Sequence, residues 1–455
     1  MITRREFILA AGSLAFAGLS RSAFGKKPLP ELSNSLFAYG ALLPDENKLL
    51  DLPAGFNYQI ISQLDEPMSD GFTVPDKADG MGCIGLDNDT VALIRNHELK
   101  PTDLTKSHGA LQNHKTSLAY DSNEQGVALP GGTSHIIYNV KTRKKEQEFL
   151  SLVGTIRNCS GGITPWGTWL TCEETTLTTA DGFNEDHGYI FEVPASAKGL
   201  VKPVPLKDMG RFNHEAAAVD PKTGIVYLTE DKGDSLFYRF IPKEYAKLSK
   251  GGQLQAMVIK SSAKFDTRNW AGNNMPLHQS MDVEWIDLQN PHSPNDDLRL
   301  QGYEKGAALF ARGEGIHWGD NELYFCCTNG GNKQLGQVMK YQPSEFEGQA
   351  NEQESPGKIQ LFLESTDKSL YNFGDNLCVA PNGHLIVCED QYTDVVDNHL
   401  RGVTPKGEVY NFARLSAQTE LAGACFSPDG STLFVNVYKP SKTIAITGPW
   451  ERFKK

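Results

Sequence analysis

The amino-acid sequence predicts an all-β fold, a single-domain six-bladed β-propeller. Three observations predict it: the composition, a hairpin repeated six times, and the spacing between the repeats. The 455 residues include 43 glycines and 24 prolines, and short apolar stretches alternate with Asp-Gly, Asn-Gly and Pro-x-Gly turns. Short β-forming runs bounded by such turns are typical of sandwiches, barrels and propellers and rare in helical bundles.

Each copy of the hairpin has an apolar strand, a tight turn and a second apolar strand that ends in a polar cluster. The copies span residues 79–98, 158–174, 213–231, 312–328, 375–390 and 420–438. The spacing leaves room for two outer strands in each repeat, with candidates at 188–193, 235–240 and 336–341. Six repeats of four strands predict a propeller, closed by a strand from the opposite end of the chain. Two β-sandwiches are the alternative, but they do not explain the shared polar pattern.

The first 25 residues predict an export signal. Thr3-Arg4-Arg5-Glu6-Phe7-Ile8 has the twin-arginine pattern, an apolar stretch runs from residue 7 to residue 18, and Ala23-Phe24-Gly25 offers a cleavage point. An ordinary secretory signal with two incidental arginines is the alternative. We expect a signal peptide at residues 1–25, a propeller domain at 26–455, and a periplasmic or secreted location.

The charge of the chain limits its partners. The formal net charge is -12, and such a surface repels nucleic acid and anionic lipid. We therefore expect no nucleic-acid partner and no membrane anchor. We also expect the chain to act as a monomer.

Acidic residues are concentrated at one end of every predicted hairpin. The start of the first strand and the end of the second strand lie at the same end of an antiparallel hairpin, so these side chains are expected around one mouth of the propeller channel. The strand starts contribute Asp79, Cys159, Glu215, Glu314, Asp375 and Glu420, and the strand ends contribute Asn96, His97, Glu98, Glu173, Glu174, Glu230, Asp231, Glu389 and Asp390. Crowded carboxylates cannot all ionise without cations, and hard oxygen donors favour calcium or Fe³⁺ over zinc.

Three further side chains suggest chemistry at this mouth. Cys159 stands where other repeats have an acid, so it is either a thiolate metal ligand or a buried bystander. Arg312 lies two residues before Glu314 and shares its face. Its guanidinium either balances charge or binds phosphate oxygens, and Asn96 is a candidate for a second hydrogen bond to the same phosphate.

Four long motifs resemble those of the PhoX-type alkaline phosphatases. They are Asn158-Cys-Ser-Gly-Gly-Ile-Thr-Pro-Trp-Gly-Thr-Trp-Leu-Thr-Cys-Glu-Glu174, the repeat at 213–231, the repeat at 375–390, and residues 423–437 with 446–450. The resemblance implies a twin-arginine-exported propeller that hydrolyses phosphomonoesters with an iron–calcium cluster. It implies metal ligation by Cys159, Glu174, Glu215 and Glu314, and phosphate contacts by Arg312 and Asn96. Ligation by Glu98, Asp375 and Asp390 depends more on the channel-mouth argument.

The expected substrate is therefore a small phosphate ester, and the expected partner in transit is the twin-arginine export machinery. Two other functions remain open. One is a calcium-dependent propeller hydrolase that acts on lactones or other esters. The other is a propeller that binds a partner without catalysis.

Overall fold

The structure is a computed structural model that describes residues 39–104, 111, 113–391, 393 and 395–453. The predicted signal peptide at residues 1–25, and its boundary with the predicted domain at 26–455, lie outside the described residues. Among the residues that are described, no helix has the length and apolar character needed to cross a bilayer.

The regular secondary structure of the described residues is almost entirely β-strand, with one short α-helix, α1 (Leu298–Glu304). Short 3₁₀ turns occur at Pro101–Asp103, Thr179–Asp181, Lys207–Met209, Leu248–Lys250, Glu352–Glu354 and Trp450–Phe453. The strands are β1 (Leu42–Leu43), β2 (Leu50–Pro53), β3 (Asn57–Gln63), β4 (Ala78–Gly85), β5 (Thr90–His97), β6 (Gly131–Asn139), β7 (Lys144–Thr155), β8 (Asn158–Ile163), β9 (Thr168–Glu173), β10 (Ile190–Pro194), β11 (His214–Val219), β12 (Val226–Glu230), β13 (Tyr238–Pro242), β14 (Gly252–Ile259), β15 (Ser280–Asp287), β16 (Gly313–Trp318), β17 (Leu323–Cys327), β18 (Gln337–Gln342), β19 (Lys358–Glu364), β20 (Gly374–Val379), β21 (Leu385–Glu389), β22 (His399–Val403), β23 (Val409–Leu415), β24 (Leu421–Phe426), β25 (Thr432–Val437) and β26 (Lys442–Thr447).

The strands form antiparallel sheets that follow the predicted repeat. The sheet orders are β4-β5-β6-β7, β8-β9-β10, β11-β12-β13-β14-β15-β19-β18-β17-β16, β1-β2-β23-β22-β21-β20 and β24-β25-β26-β3. All six predicted hairpins are present, as the pairs β4–β5, β8–β9, β11–β12, β16–β17, β20–β21 and β24–β25. The three predicted outer strands are confirmed as β10, β13 and β18.

The first strands of the six hairpins form a closed ring. In chain order β4, β8, β11, β16, β20 and β24 each contact the next, and β24 contacts β4. The ring is closed by strands from distant parts of the chain, because β3 pairs with β26 through Asn57 and Thr447. The prediction that closure uses a strand from the opposite end is therefore confirmed.

The core lies between neighbouring sheets, which is why many strands are apolar on both faces. Strand β12, for example, is buried at every position. Between the third and fourth hairpins, Phe237 stacks on Phe325 with ring centroids 4.3 Å apart and planes 4° apart. Such contacts fix each sheet against the next and so fix the hairpin ends around the channel.

The fold is thus all-β with a propeller-like arrangement, and the predicted fold is confirmed in part. Six separate four-stranded sheets are not observed among the described residues. The second sheet has three strands, and β15 joins β14 to β19 so that the third and fourth hairpins belong to one nine-stranded sheet. Strand β15 belongs to an insertion that the hairpin repeat does not contain.

Candidate metal centre

A β-bulge near the start of the first strand places one side chain of each hairpin. The register shifts once in β4, β8, β11, β16 and β20, where two residues face one on the partner strand. Bulges redirect side chains and are frequent beside active sites. The first bulge residues are Asp79, Cys159, Glu215, Glu314 and Asp375.

The sixth hairpin departs from this rule. Its bulge follows Ala422, which is still paired with Asn436, so no acid occupies the equivalent place. The acid of this hairpin is Glu420, whose carbonyl accepts a hydrogen bond from the N–H of Tyr438 at 3.1 Å. Its carboxylate reaches the same cavity as the bulge residues.

The ends of the second strands are fixed by a repeated backbone bond. The N–H of Glu98 donates to the carbonyl of Lys77 at 3.0 Å, and the N–H of Glu174 donates to the carbonyl of Arg157 at 2.9 Å. The third and fifth hairpins repeat this bond at Asp231 and Asp390. All four acids line the cavity at the channel mouth.

This cavity has a volume of about 520 Å³ and gathers most of the predicted site. The proposed ligands and phosphate contact that line it are Glu98, Cys159, Glu174, Glu215, Arg312, Glu314, Asp375 and Asp390. Asp79, Arg157, Asp231, Glu420 and Tyr438 line it as well. The hairpins therefore bring together side chains that lie far apart in the sequence.

Within the cavity, potential ligand atoms form three overlapping groups. The groups are Cys159 with Glu174 and Glu215, Glu215 with Glu314 and Asp375, and Asp375 with Asp390 and Glu420. In each group the ligand atoms lie within 4.8 Å of one another. Because Glu215 and Asp375 are each shared by two groups, the three groups are continuous, as the ligands of a multinuclear centre would be.

The surroundings of the Glu215 carboxylate show whether this site fits bound cations. The Glu215 side chain is fully buried, and neither carboxylate oxygen has a hydrogen-bond partner among the described residues. Burial, followed by the charge of Glu314, raises the pKa of Glu215 well above its usual value. A buried carboxylate without a partner is costly, and a cation removes that cost. The donor set therefore fits bound metal.

Neighbouring acidic groups are also buried, and their pKa values are raised for the same reason. Burial raises the pKa of Asp375 to about 7, with Asp390 adding to the rise. Burial also raises the pKa of Glu174 to about 8, while Arg157 opposes the rise. The Cys159 thiol is buried too, and burial followed by the charge of Asp79 raises its pKa well above the usual value. Without cations, several carboxyl groups in this cavity would remain protonated near neutral pH.

Arginine side chains connect acids at the rim of the cavity. Arg312 donates from Nε and Nη2 to the two carboxylate oxygens of Asp231, at 2.7 and 2.8 Å, and Nη2 lies 3.1 Å from Glu314 Oε1. Arg157 donates from Nε to Glu98 Oε1 at 2.7 Å and from Nη2 to the carboxylate of Glu174. The second oxygen of Glu98 accepts from the hydroxyl of Tyr438.

The assignment of Asn96 as a phosphate contact is corrected by its position. Asn96 is fully buried and does not line the cavity. Its Nδ2 donates to the carbonyls of Cys159 at 3.1 Å and Ser160 at 2.7 Å, and its Oδ1 accepts from Trp169 at 2.9 Å and Thr171 at 2.8 Å. Asn96 therefore holds the bulge of the neighbouring hairpin and has no remaining amide hydrogen for a substrate.

The first acid of each terminal pair also lies outside the cavity, contrary to the expectation that both would face the mouth. Glu173 accepts from His187 Nδ1 at 2.6 Å, and Glu389 accepts from Arg401 Nε at 2.7 Å. Glu230 accepts from the hydroxyl of Tyr238 at 2.6 Å. The reason is the two-residue alternation of a strand, which sends consecutive side chains to opposite faces.

Among the cavity residues that were not predicted from the sequence, Arg157 and Tyr438 contact predicted acids directly. The others are Lys100, Gln391, Thr393, Asn398, Gln418 and Thr419. A signal for Arg157 was present in the sequence, because it precedes Cys159 by the same two residues that separate Arg312 from Glu314. Tyr438 carries no such signal, since it occupies the strand-end position that is acidic in four other hairpins.

Comparison with known proteins identifies the family. The family model of the alkaline phosphatase PhoX matches residues 37–137 and 127–441, whereas the comparison with curated proteins found no match. PhoX from Pseudomonas fluorescens, solved in complex with the transition-state analogue vanadate, is 18% identical, with a TM-score of 0.65 over 88% of this chain and 96% of that chain. A gluconolactonase from Xanthomonas campestris is 9% identical over 90% of this chain and 98% of that chain, and its TM-score of 0.42 is too low to support an argument. The PhoX match covers most of the chain and confirms the resemblance seen in the motifs, so this protein belongs to the PhoX family of alkaline phosphatases.

Proposed function

We propose that this phosphatase hydrolyses small phosphate monoesters at the acidic cavity, where its side chains hold a mixed iron–calcium cluster. The observation that carries the proposal is the continuous set of three ligand groups, which contains one thiol and the unpartnered carboxylate of Glu215. A metal-dependent phosphatase needs such a set because its substrate is an anion, and the cavity without cations would repel it.

The ligand types suggest how the metals are distributed. The group of Cys159, Glu174 and Glu215 contains a sulfur donor and suits iron better than calcium. The other two groups offer only carboxylate oxygens, which suit calcium. When bound, these cations would supply Lewis-acid neutralisation of the phosphoryl oxygens.

The side chain that we assign to the phosphoryl group is Arg312. Its guanidinium lines the cavity, and its side chain is 25% exposed, so it is accessible from the mouth. Asp231 holds it by two parallel hydrogen bonds, which fix the plane of the guanidinium before substrate arrives. A fixed planar cation of this kind binds the equatorial oxygens of an in-line transition state and stabilises their developing charge.

A polar bridge links residues beside the acidic cavity. Ser160 Oγ donates to Asn376 Oδ1 at 3.3 Å, which also accepts from the N–H of Gly423 at 3.1 Å. Asn376 Nδ2 donates to Asp375 Oδ1 at 3.1 Å and so helps to orient a proposed metal ligand. The same three residues, Ser160, Asn376 and Gly423, line a separate, mainly apolar cavity of about 400 Å³.

We also propose the finer architecture and cellular location. The closed ring of six first strands supports counting six blades, with the nine-stranded sheet containing two of them. The twin-arginine motif supports cleavage near residue 25, export by that machinery, and a periplasmic or secreted location. We propose in addition that the protein acts as a monomer without a membrane anchor.

The test is elemental analysis of natively exported protein together with hydrolysis of an aryl phosphate monoester. We expect iron and calcium in the protein, loss of hydrolysis with a calcium chelator, and recovery when calcium is returned. The Cys159→Ser variant is the matched probe of the sulfur ligand. Full hydrolysis by metal-free protein would contradict the proposal. Lactone hydrolysis that survives Cys159→Ser but needs calcium would instead favour a calcium-dependent esterase.

A further inference from the structure

Arg157 occupies the same place in the second hairpin that Arg312 occupies in the fourth. Each residue lies two positions before the first bulge residue, Cys159 or Glu314. Each has a left-handed backbone, with φ of 50° for Arg157 and 52° for Arg312. The carbonyl of each accepts from the N–H that ends the second strand, at 2.9 Å from Glu174 and at 3.0 Å from Thr328. The backbones of Arg157 and Arg312 are therefore closely similar, and their side chains enter the cavity from equivalent positions in the two hairpins.

The environments of the two guanidinium groups also match. Both line the acidic cavity, and the side chains are 27% and 25% exposed. Arg312 is held by Asp231 and Glu314, whereas Arg157 is held by Glu98 and by both the carbonyl and the carboxylate of Glu174. These contacts to Arg157 use three of the five N–H groups that a guanidinium offers. The other two remain for a ligand in the cavity.

The first hairpin shows that a cation at this repeat position does not always serve the cavity. Lys77 has the same left-handed backbone, with φ of 54°. Its Nζ lies 2.7 Å from Asp103 Oδ2, and it does not line the cavity. The presence of Arg157 in the cavity is therefore a property of the second hairpin and not an automatic result of the repeat.

We propose that Arg157 is a second substrate-binding residue, which holds the terminal oxygens of a phosphate monoester together with Arg312. This inference rests on the proposed function. Hairpins two and four are separated by one hairpin in the ring, so the two guanidinium groups approach the cavity from different directions. A monoester presents three terminal oxygens and up to two charges, whereas a diester presents two oxygens and one charge. Two fixed planar cations thus select the monoester.

The experiment compares wild-type, Arg157→Lys and Arg157→Gln proteins, all natively exported and metal-loaded. Inorganic phosphate is the probe, through its dissociation constant and its inhibition of aryl phosphate hydrolysis. We expect Arg157→Lys to weaken phosphate binding and raise KM about tenfold, and Arg157→Gln up to about a hundredfold. The ratio of monoester to diester hydrolysis should fall, while iron and calcium per chain stay at the wild-type level.

Lys77→Met is the matched control, since it removes a cation at the same repeat position outside the cavity. It should leave phosphate affinity and KM unchanged. Unchanged phosphate affinity in both Arg157 variants would overturn the inference. So would loss of metal with an unchanged KM for the remaining active fraction, because Arg157 would then only support Glu98 and Glu174. A wild-type protein that neither binds phosphate nor hydrolyses the ester would instead refute the proposed function.

Discussion

The stability of the metal-free protein should fall as the pH rises from about 5 to about 8, and Glu174 provides the clearest test. Burial raises the pKa of Glu174 from its usual value of 4.5 to about 8. The folded chain therefore binds this proton more tightly than the unfolded chain does. The resulting stabilisation is fully present below pH 4.5 and is lost as the pH rises through about 8.

The magnitude follows from the size of the pKa shift. The shift makes the folded metal-free protein about 4 kcal/mol less stable at pH 8 than at low pH, from this one carboxylate. Asp375, with a pKa of about 7, acts in the same direction. Arg157 already limits the effect at Glu174 and remains in place throughout. Bound calcium or iron should reverse the trend, because a cation favours the ionised carboxylates.

Thermal denaturation of chelator-treated protein at several pH values measures this effect. The melting temperature should decrease toward pH 8, the decrease should be smaller in Glu174→Gln, and added metal should raise the melting temperature most at pH 8. Gln replacement of the exposed Glu345 serves as the control and should leave the pH trend unchanged. A metal-free wild type that is equally stable at both pH values, or more stable at pH 8, would refute the electrostatic reasoning.

Three other substitutions give separate tests. Cys159→Ser should reduce the iron retained per chain more than about tenfold while calcium stays bound, as measured by elemental analysis; equal iron would show that the sulfur is not a ligand. Asn96→Ala should lower the free energy of unfolding by about 2–4 kcal/mol with little change in KM, because it removes buried hydrogen bonds; a raised KM without destabilisation would restore its role as a phosphate contact. Gly423→Ala should lower the melting temperature, because its backbone is left-handed at φ +61° and an added Cβ would lie 2.5 Å from the carbonyl oxygen of Asp79; an unchanged melting temperature would contradict this.

The hairpins could be predicted because their signals are local. A turn residue, an apolar strand on each side and an acid at the open end are all readable within one repeat, and the chain follows them in all six places. The shared acidic mouth then follows from antiparallel geometry alone. The insertion that contains β15 has no counterpart in the other repeats, so nothing in the pattern predicted that it would join two sheets.

The orientation of individual side chains was harder to predict, because the bulges change the phase of the strand alternation. Without the bulge, Asn96 and Glu98 are equally good candidates for the cavity. The structure places Asn96 opposite the bulge, where it bonds the next hairpin, and places Glu98 in the cavity. Ordinary strand alternation separates Glu173 from Glu174. A bulge depends on packing between hairpins, which a single repeat does not reveal.

The pairing of β3 with β26 has a consequence for biosynthesis. The ligand groups take residues from the second to the sixth hairpin, and the circle is completed only when a strand near its beginning meets the last strand. A ribosome-bound chain therefore cannot present the finished cavity, and contacts so distant in sequence form slowly. Metal capture should accordingly follow release of the whole polypeptide, and a chain shortened before β26 should acquire little metal even though it contains every residue of the three ligand groups.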